Sequence, residues 1–208
     1  MTIDEYILNH SDKEDTILQE LSRETHLKEV APRMLSGYIQ GKFLEFVSKM
    51  IQPSSLLEIG TFTGYSAICL AKGLKENGLL HTIEICDERE KLIQKYIDKS
   101  GNANKIKLYI GNATDIIPNI NESFDLVFID GEKSEYLNYY NTVIDKVKKG
   151  GFIIADNVLW NNKVIESVGI NENSTKGILT FNDFVNSDTR VEKVIIPLRD
   201  GLMLIRKK

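Results

Sequence analysis

The sequence predicts an α/β fold in which a mostly parallel sheet carries helices on both faces. Short apolar runs of strand length alternate along most of the chain with amphipathic stretches of helix length, a pattern typical of parallel βαβ units. Near the carboxyl end, Arg199-Asp200-Gly201 separates two apolar runs, and Asp-Gly in that position is a strong hairpin signal. The last strand should therefore run antiparallel to its neighbour, which excludes many doubly wound folds.

The first 50 residues are expected to be helical. One helix is predicted at Glu14–Arg23 and a longer one from about Leu35 to Met50, with Pro32 in the connection between them. We expect residues 1–50 to form a cap over the ligand-binding edge of the sheet or a subunit contact.

Strands and helices then alternate from residue 56 onward. The expected parallel strands are Leu56–Ile59, Leu80–Ile85, Ile106–Ile110, Leu126–Ile129 and Phe152–Ala155. The expected helices are Tyr65–Lys75, Glu88–Ser100 and Ser134–Lys148, the last followed by the helix stop signal Lys149-Gly150-Gly151. The terminal hairpin should comprise Val191–Leu198 and Leu202–Arg206.

Length and composition indicate one domain spanning residues 1–208, because the chain is long enough for one sizeable core and shows no repeat or interdomain linker. The net charge of −4 gives no general attraction to nucleic acid or to anionic membranes. No apolar stretch is long enough to cross a membrane, and the first residues lack the features of a signal peptide. Cys69 and Cys86 lack metal-type spacing and are expected to be reduced thiols, so we expect a cytoplasmic protein.

Two predicted strands are followed directly by oxygen-bearing side chains. Asp130 follows Leu126–Ile129, and Asp156 and Asn157 follow Phe152–Ala155. Carboxyl ends of parallel strands meet at the edge where open α/β sheets bind ligands. Carboxylate and amide oxygens there would suit Mg²⁺, Mn²⁺ or Ca²⁺, although Asp-Asn after a strand is also typical of an Asx turn or a helix cap.

The segment 56–66 is a strand, a glycine-containing turn and the start of a helix. Its spacing differs from the dinucleotide-binding fingerprint, which argues against a pyrophosphate ligand and against an NAD-dependent oxidoreductase. Glu58 would repel a phosphate but attract a cation, and Glu84 at the end of the next strand could accept ribose hydroxyls. A tight turn without a ligand is the alternative. The two acidic residues together favour a ribose-bearing, cationic ligand such as S-adenosylmethionine.

Lys133 lies three residues after Asp130, where a nearby cation and partial burial would help it to lose its proton. We therefore expect a site in which a metal binds two neighbouring oxygens of an acceptor, Lys133 takes a hydroxyl proton, and the oxygen attacks a methyl group on sulfonium. Trp160 is a candidate aromatic wall for the acceptor, and core packing is an equal alternative.

From about Met34 to the end, the chain resembles the cation-dependent O-methyltransferases, the group that contains caffeoyl-CoA O-methyltransferases and catechol O-methyltransferase. The motifs that carry the resemblance are LEIGTFTGYS (57–66), DLVFIDGEK (125–133), GGFIIADNVLWNNKV (150–164) and DGLMLIRK (200–207). The resemblance implies a class I S-adenosylmethionine-dependent methyltransferase fold, a Rossmann-like seven-stranded sheet with an antiparallel last strand.

The resemblance also implies roles for individual residues. Asp130, Asp156 and Asn157 match the metal ligands, and Lys133 matches the base. Asp130 is also expected to be catalytic and to contact the cofactor. Matches to contacts with the methionine part of the cofactor are Glu58, Gly60, Thr61 and Ser66. Glu84 matches the carboxylate that binds the ribose, and Ala113 matches a contact on the adenine side. Glu132 replaces an Asp that contacts the cofactor. Asn161 matches a position on the acceptor side, where Trp160 is also a candidate.

The segment linked to the CoA ester in plant relatives has no clear counterpart, which favours a small free catechol or polyphenol as acceptor. The family leaves monomer and dimer open, and we expect a homodimer. The alternative acceptor is 5-hydroxyuridine in tRNA, which some relatives methylate and for which Lys28, Arg33 and Lys42 could supply part of a basic surface. A non-catalytic binding module is disfavoured because the whole ligand set is present.

Overall fold

A single mixed sheet organises the chain in a computed structural model that describes residues 1–169 and 172–208. The strand order within these residues is β3-β2-β1-β4-β5-β7-β6. The strands are β1 (Ser55–Ile59), β2 (Leu79–Glu84), β3 (Ile106–Ile110), β4 (Phe124–Ile129), β5 (Val147–Ala155), β6 (Val191–Ile196) and β7 (Leu202–Lys207). The helices are α1 (Ile3–Asn9), α2 (Thr16–Lys28), α3 (Gly37–Ile51), α4 (Tyr65–Ala71), α5 (Glu90–Lys99), α6 (Ala113–Ile116), α7 (Tyr136–Val143) and α8 (Asn173–Ser187).

The predicted fold class is confirmed. Strands β1 to β5 pair in parallel, and β7 pairs antiparallel with both β5 and β6, as the Asp-Gly hairpin signal predicted. Because β1, β2, β4 and β5 point the same way, their carboxyl ends lie along one edge. The register places Ile59 opposite Ile83 and Ile129, and Ile129 opposite Ala155. The residues after these positions are therefore neighbours.

Side chains that alternate along the central strands fill two separate apolar cores, one on each face of the sheet. Leu57 and Val127 pack on the face covered by residues of α6, α7 and α8, whereas Leu56 and Phe128 pack on the opposite face with α2 to α5. All five residues of β1 are buried, including the ionisable Glu58. Burial on both faces is what the unbroken apolar runs of parallel strands indicate.

The predicted helix 134–148 was wrong in its second half. Helix α7 ends at Val143, and β5 already begins at Val147, so the Lys149-Gly150-Gly151 segment lies inside a strand rather than after a helix. The Phe124 N–H donates to the Lys146 carbonyl, and Val147 pairs with Phe124 before a register shift. Backbone groups of residues 146 and 147 therefore pair with β4 and are not available for the hydrogen bonds of a longer helix.

Two other helical expectations need correction. The predicted helix Tyr65–Lys75 ends at Ala71, and α8 was not predicted. The amino-terminal region is helical as expected: α2 and α3 pack against α4 on one face of the sheet. Cys69 is a buried free thiol and Cys86 a half-exposed one. No helix in the described part of the chain is long and apolar enough to cross a membrane.

Candidate functional site

The turn after β1 touches the turn after β4, and Gly60 makes this possible. Gly60 has a φ of +95°, and a Cβ atom there would lie 2.3 Å from the carbonyl oxygen of Asp130. The Asp130 N–H also donates to the Ile59 carbonyl at 2.8 Å. A larger residue would push the two turns apart, so glycine keeps the predicted cofactor loop beside the predicted metal ligand.

Glu58 is the most deeply buried acidic group of the site. Its Oε2 accepts a hydrogen bond from the Thr82 hydroxyl at 2.5 Å, and the Thr82 and Thr61 hydroxyls lie 2.5 Å apart. Its Oε1 is buried without a hydrogen-bond partner. Burial raises the pKa of Glu58 to about 8, helped by the charges of Asp130 and Glu84, while the hydroxyls of Ser66 and Thr82 act in the opposite direction. An unpartnered buried carboxylate oxygen suits a cationic donor such as an amino group.

Glu84, at the end of β2, holds the turns that follow β1 and β2. Its Oε2 accepts from the Phe62 N–H at 2.7 Å, and its Oε1 accepts from the Cys86 N–H and the Arg89 guanidinium, both at 3.0 Å. Arg89 also donates to Glu29, so the end of α2 is tied to the same place. Because Oε2 accepts only this one hydrogen bond from the described residues, it can still accept another from a hydroxyl group.

The remaining predicted cofactor residues occupy helix starts around this edge. Ser66 is buried in the first turn of α4, which begins after Gly64 in a left-handed conformation. Ala113 is buried and is the first residue of α6, and the Asn112 side chain caps this helix. Glu132 is exposed, and its Oε1 accepts from the N–H and hydroxyl of Ser134, so it caps the turn that begins at Lys133.

Lys133 is held between an acid and a phenol. Its Nζ lies 2.7 Å from Asp130 Oδ1 and 2.9 Å from the Tyr136 hydroxyl. Burial, followed by the charges of Asp130 and Asp156, raises the pKa of Tyr136 well above its usual value, so this phenol remains protonated. Lys133, expected beside the ligand set, forms a direct ion pair with Asp130, and Tyr136 is an additional partner.

Asp156 and Asp130 follow neighbouring strands, and Asp156 is only 3% exposed. Burial raises the pKa of Asp156, and the negative charge of Asp130 raises it further. Its Oδ2 accepts from Gln40 Nε2 at 2.5 Å, and its Oδ1 accepts from the Asn157 N–H at 2.7 Å. The Asn157 N–H bond is local, whereas Gln40 comes from α3.

The three predicted metal ligands fit a divalent cation by their chemistry. Two carboxylates repel one another at adjacent strand ends, and Asn157 supplies an amide oxygen from a left-handed position with a φ of 56°. Within residues 1–169 and 172–208, no group of three His, Cys, Asp or Glu side chains could hold a metal ion. The predicted set differs from such a group because its third member is an amide.

The predicted acceptor residues lie on an irregular segment after β5. Trp160, Asn161 and Asn162 all have positive φ values. Trp160 is half-buried against the core, and Asn161 is exposed with its N–H bonded to Asp200 Oδ1. Core packing, the alternative considered for Trp160, is therefore part of its role.

Sequence reasoning missed three neighbours of the site. Gln40 contacts Asp156, Tyr136 contacts Lys133, and Arg199 contacts Gln40. Tyr136 is three residues after Lys133 and could have been inferred from helix geometry. Gln40 and Asp156 are 116 positions apart, and no local pattern connects them.

Comparison with known proteins finds similar chains of known family. A family model described as O-methyltransferase matches residues 8–208. Catechol O-methyltransferase of Niastella koreensis is 33% identical over 206 residues, which cover 95% of this chain and 90% of that protein. Caffeoyl-CoA O-methyltransferase 2 of Petunia hybrida is 33% identical over 218 residues, covering 98% and 89% respectively.

Solved structures agree with these sequence relatives. The O-methyltransferase TomG from Streptomyces achromogenes, in complex with SAM, has a TM-score of 0.92 at 26% identity and covers 99% of this chain and 96% of that one. The O-methyltransferase from Bacillus cereus in complex with SAH has a TM-score of 0.92 at 26% identity, with coverages of 99% and 97%.

Proposed function

Because the chain belongs to the O-methyltransferase family, we propose that it methylates one of two neighbouring hydroxyls on a small catechol- or polyphenol-type acceptor, using a bound divalent cation. The chain is an S-adenosylmethionine-dependent O-methyltransferase of the caffeoyl-CoA and catechol type. The metal, preferably Mg²⁺ with Mn²⁺ or Ca²⁺ as alternatives, and the acceptor are the proposed parts. The observation that carries the proposal is the buried Asp156 carboxylate beside Asp130 and Lys133.

The cofactor would lie along the ends of β1 and β2. The unpartnered Oε1 of Glu58 would accept from the α-amino group of the methionine part, and Glu84 from a ribose hydroxyl. Gly60, Thr61 and Ser66 would border the methionine part, with Ala113 on the adenine side. We propose Glu132 at the edge of this pocket, although its carboxylate is engaged by its own turn.

The acceptor would lie between the ends of β4 and β5. A divalent cation held by Asp130, Asp156 and Asn157 would supply Lewis acidity toward the two acceptor oxygens. Lys133, in its neutral form, would receive the hydroxyl proton at Nζ, because Asp130 and Tyr136 hold that atom at the end of β4. Trp160 and Asn161 would border the aromatic ring.

We further propose that residues 1–208 form one methyltransferase domain in which residues 1–50 cover the cofactor edge. The Glu29–Arg89 and Gln40–Asp156 contacts support that role for the amino-terminal region. Homodimer formation and a cytoplasmic location stay predictions. The tRNA alternative has no support from the relatives reported above, which are named for catechol and caffeoyl-CoA.

The test is methyl transfer to a panel of catechols, caffeic acid and caffeoyl-CoA, measured with EDTA and after Mg²⁺ is restored. We expect transfer to vicinal hydroxyls, loss with EDTA and recovery with Mg²⁺. Matched monohydroxy acceptors should react poorly, because they offer one oxygen where the site would bind two. Equal activity with EDTA would contradict the metal, and transfer to monohydroxy acceptors at the same rate would contradict the chelating acceptor.

A further inference from the structure

Arg199 lies at an unusual backbone position in the β6–β7 hairpin. Its φ is 51°, in the left-handed region that favours glycine, and it precedes Asp200-Gly201. A long side chain in this conformation carries a steric cost, and such positions persist where surrounding contacts hold them. The contacts of the Arg199 guanidinium are therefore informative.

The guanidinium reaches across to the segment before α3. Its Nη1 donates to the Leu35 carbonyl at 3.0 Å and to the Ser36 carbonyl, and its Nη2 donates to the Arg33 carbonyl at 3.4 Å. The same Nη1 lies 3.3 Å from Gln40 Oε1. One side chain thus ties the hairpin to the start of α3.

Gln40 connects Arg199 to Asp156, and the chemistry of its neighbours fixes which way its amide faces. A guanidinium can only donate and a carboxylate can only accept, so Oε1 faces Arg199 and Nε2 faces Asp156 Oδ2. Gln40 is 1% exposed, which leaves its amide little freedom to turn. The Asn157 N–H holds the other oxygen of Asp156.

We propose that Gln40 is a positioning residue for Asp156 as a metal ligand, and that Arg199 acts on Asp156 through Gln40. Both carboxylate oxygens of Asp156 then have a fixed donor, and each keeps a lone pair for a cation. Partners of this kind orient metal ligands and strengthen metal binding. The inference rests on the proposed metal site and adds two residues from distant parts of the chain to it.

The test is Mn²⁺ binding by titration calorimetry and electron paramagnetic resonance, without acceptor, in the wild-type chain and five variants. The variants are Q40L, R199G, the double variant R199G/Q40L, R199K and D156A. Arg206→Gln is the matched control, because Arg206 is an arginine of the same hairpin that forms an ion pair with the exposed Glu192. Melting temperature and S-adenosylmethionine affinity report whether each variant is folded.

We expect Q40L to raise the Mn²⁺ dissociation constant about tenfold or more, and R199G to raise it by a smaller factor of about three to ten. The double variant should bind like Q40L alone, because Arg199 acts through Gln40, so the two effects should not add. R199K should restore part of the loss, since an ammonium can still donate to one of these oxygens. R206Q should match the wild type.

The outcomes separate this inference from the proposed function. If the wild-type chain binds no divalent cation, the proposed metal site fails and this inference with it. If D156A loses binding while Q40L and R199G stay within about twofold of the wild type, the metal site stands and the positioning role is overturned. Additive effects in R199G/Q40L would overturn the route through Gln40, and R199K covers the case in which R199G does not fold.

Discussion

The proposed site has two halves, one for the cofactor and one for the acceptor, and they are built differently. The cofactor half, residues 58–66 and 82–89, follows β1 and β2, and its acids are fixed by Thr82, the Phe62 N–H and Arg89. The acceptor half, residues 130–136 and 156–165, combines the ends of β4 and β5 with an irregular segment of left-handed residues. Its key carboxylate is oriented by Gln40 from α3. Both halves are thus tied to the amino-terminal helices, through Glu29–Arg89 and Gln40–Asp156, but only the acceptor half contains a run of consecutive left-handed residues, 160–162.

This difference in construction fits the different ligands proposed for the two halves. A fixed, buried cofactor half suits a ligand common to many enzymes, whereas an irregular acceptor half can differ between enzymes without disturbing the sheet. Substitutions in one half should therefore leave binding in the other half largely intact. The following predictions test that independence.

The largest effect is expected for Asp156→Ala in the acceptor half. Loss of a proposed buried metal ligand should lower kcat/KM by about 10³-fold or more, because the proposed cation would supply several kcal/mol of stabilisation. Affinity for S-adenosylmethionine, measured by titration calorimetry, should stay within about threefold of the wild type if the halves are independent. Joint loss of cofactor binding, in a variant that remains folded, would contradict the independence of the two halves.

The sequence predicted the strand-end residues of both halves better than the contacts between distant segments, for physical reasons. Glu58, Asp130 and Asp156 lie at or just after strand ends that apolar runs reveal, so their approximate positions follow from local patterns. Gln40 and Arg199 meet across 159 residues, a contact that only the packed fold creates. Helix α8 did have a signal, since its buried Ile178, Phe181 and Val185 recur at helical spacing.

Lys133→Met should lower kcat by about 10²-fold, the lower end of what a general base contributes. Methionine keeps most of the length of the side chain and removes the proton acceptor. Mn²⁺ affinity should not fall, because the substitution removes a cation that pairs with Asp130. Acceptor turnover and Mn²⁺ titration together distinguish these effects.

Lys148→Met is the matched control for this substitution. Lys148 forms an ion pair with Asp125 at 2.8 Å, close to the 2.7 Å of Lys133–Asp130, but at the start of β4 rather than its end. Its turnover should equal that of the wild type. Equal losses in both lysine variants would assign the effect to a lost ion pair and remove Lys133 as the base.

Glu58→Gln tests the cofactor half and should weaken S-adenosylmethionine binding about tenfold or more, the cost of losing a hydrogen bond to a charged group. Because burial raises the pKa of Glu58 to about 8, binding of a cationic amino group should release a proton at neutral pH. The wild-type affinity should then weaken as pH falls below about 8, by at most about tenfold per pH unit. Calorimetry in two buffers of different ionisation enthalpy measures the released proton.

Stability of the cofactor-free protein provides an independent check on Glu58. The pKa of Glu58 in the folded protein lies above its usual value of 4.5, so the folded state binds more protons than the unfolded state between these two pH values. The free energy of unfolding should therefore decrease as pH rises from about 4.5 to about 8, by up to about 1.4 kcal/mol per pH unit. Glu58→Gln should lack this pH dependence of the free energy of unfolding. The same pH slope in both proteins would contradict the raised pKa of Glu58.

The smallest catalytic effect is expected for Gly177→Ala, which tests how α8 supports the acceptor half. A Cβ at Gly177 would lie 2.4 Å from the Lys133 carbonyl oxygen and 2.6 Å from Ser134 Cα, so the turn carrying Lys133 must move. We expect about 1–3 kcal/mol of destabilisation and a severalfold fall in kcat, with cofactor affinity unchanged. Gly169→Ala adds the same methyl group with its nearest neighbour at 3.6 Å and should be neutral. An unchanged kcat in a destabilised G177A would show that α8 stabilises the fold without positioning Lys133, whereas a selective fall in kcat would extend the acceptor half to a helix that contributes no reacting group.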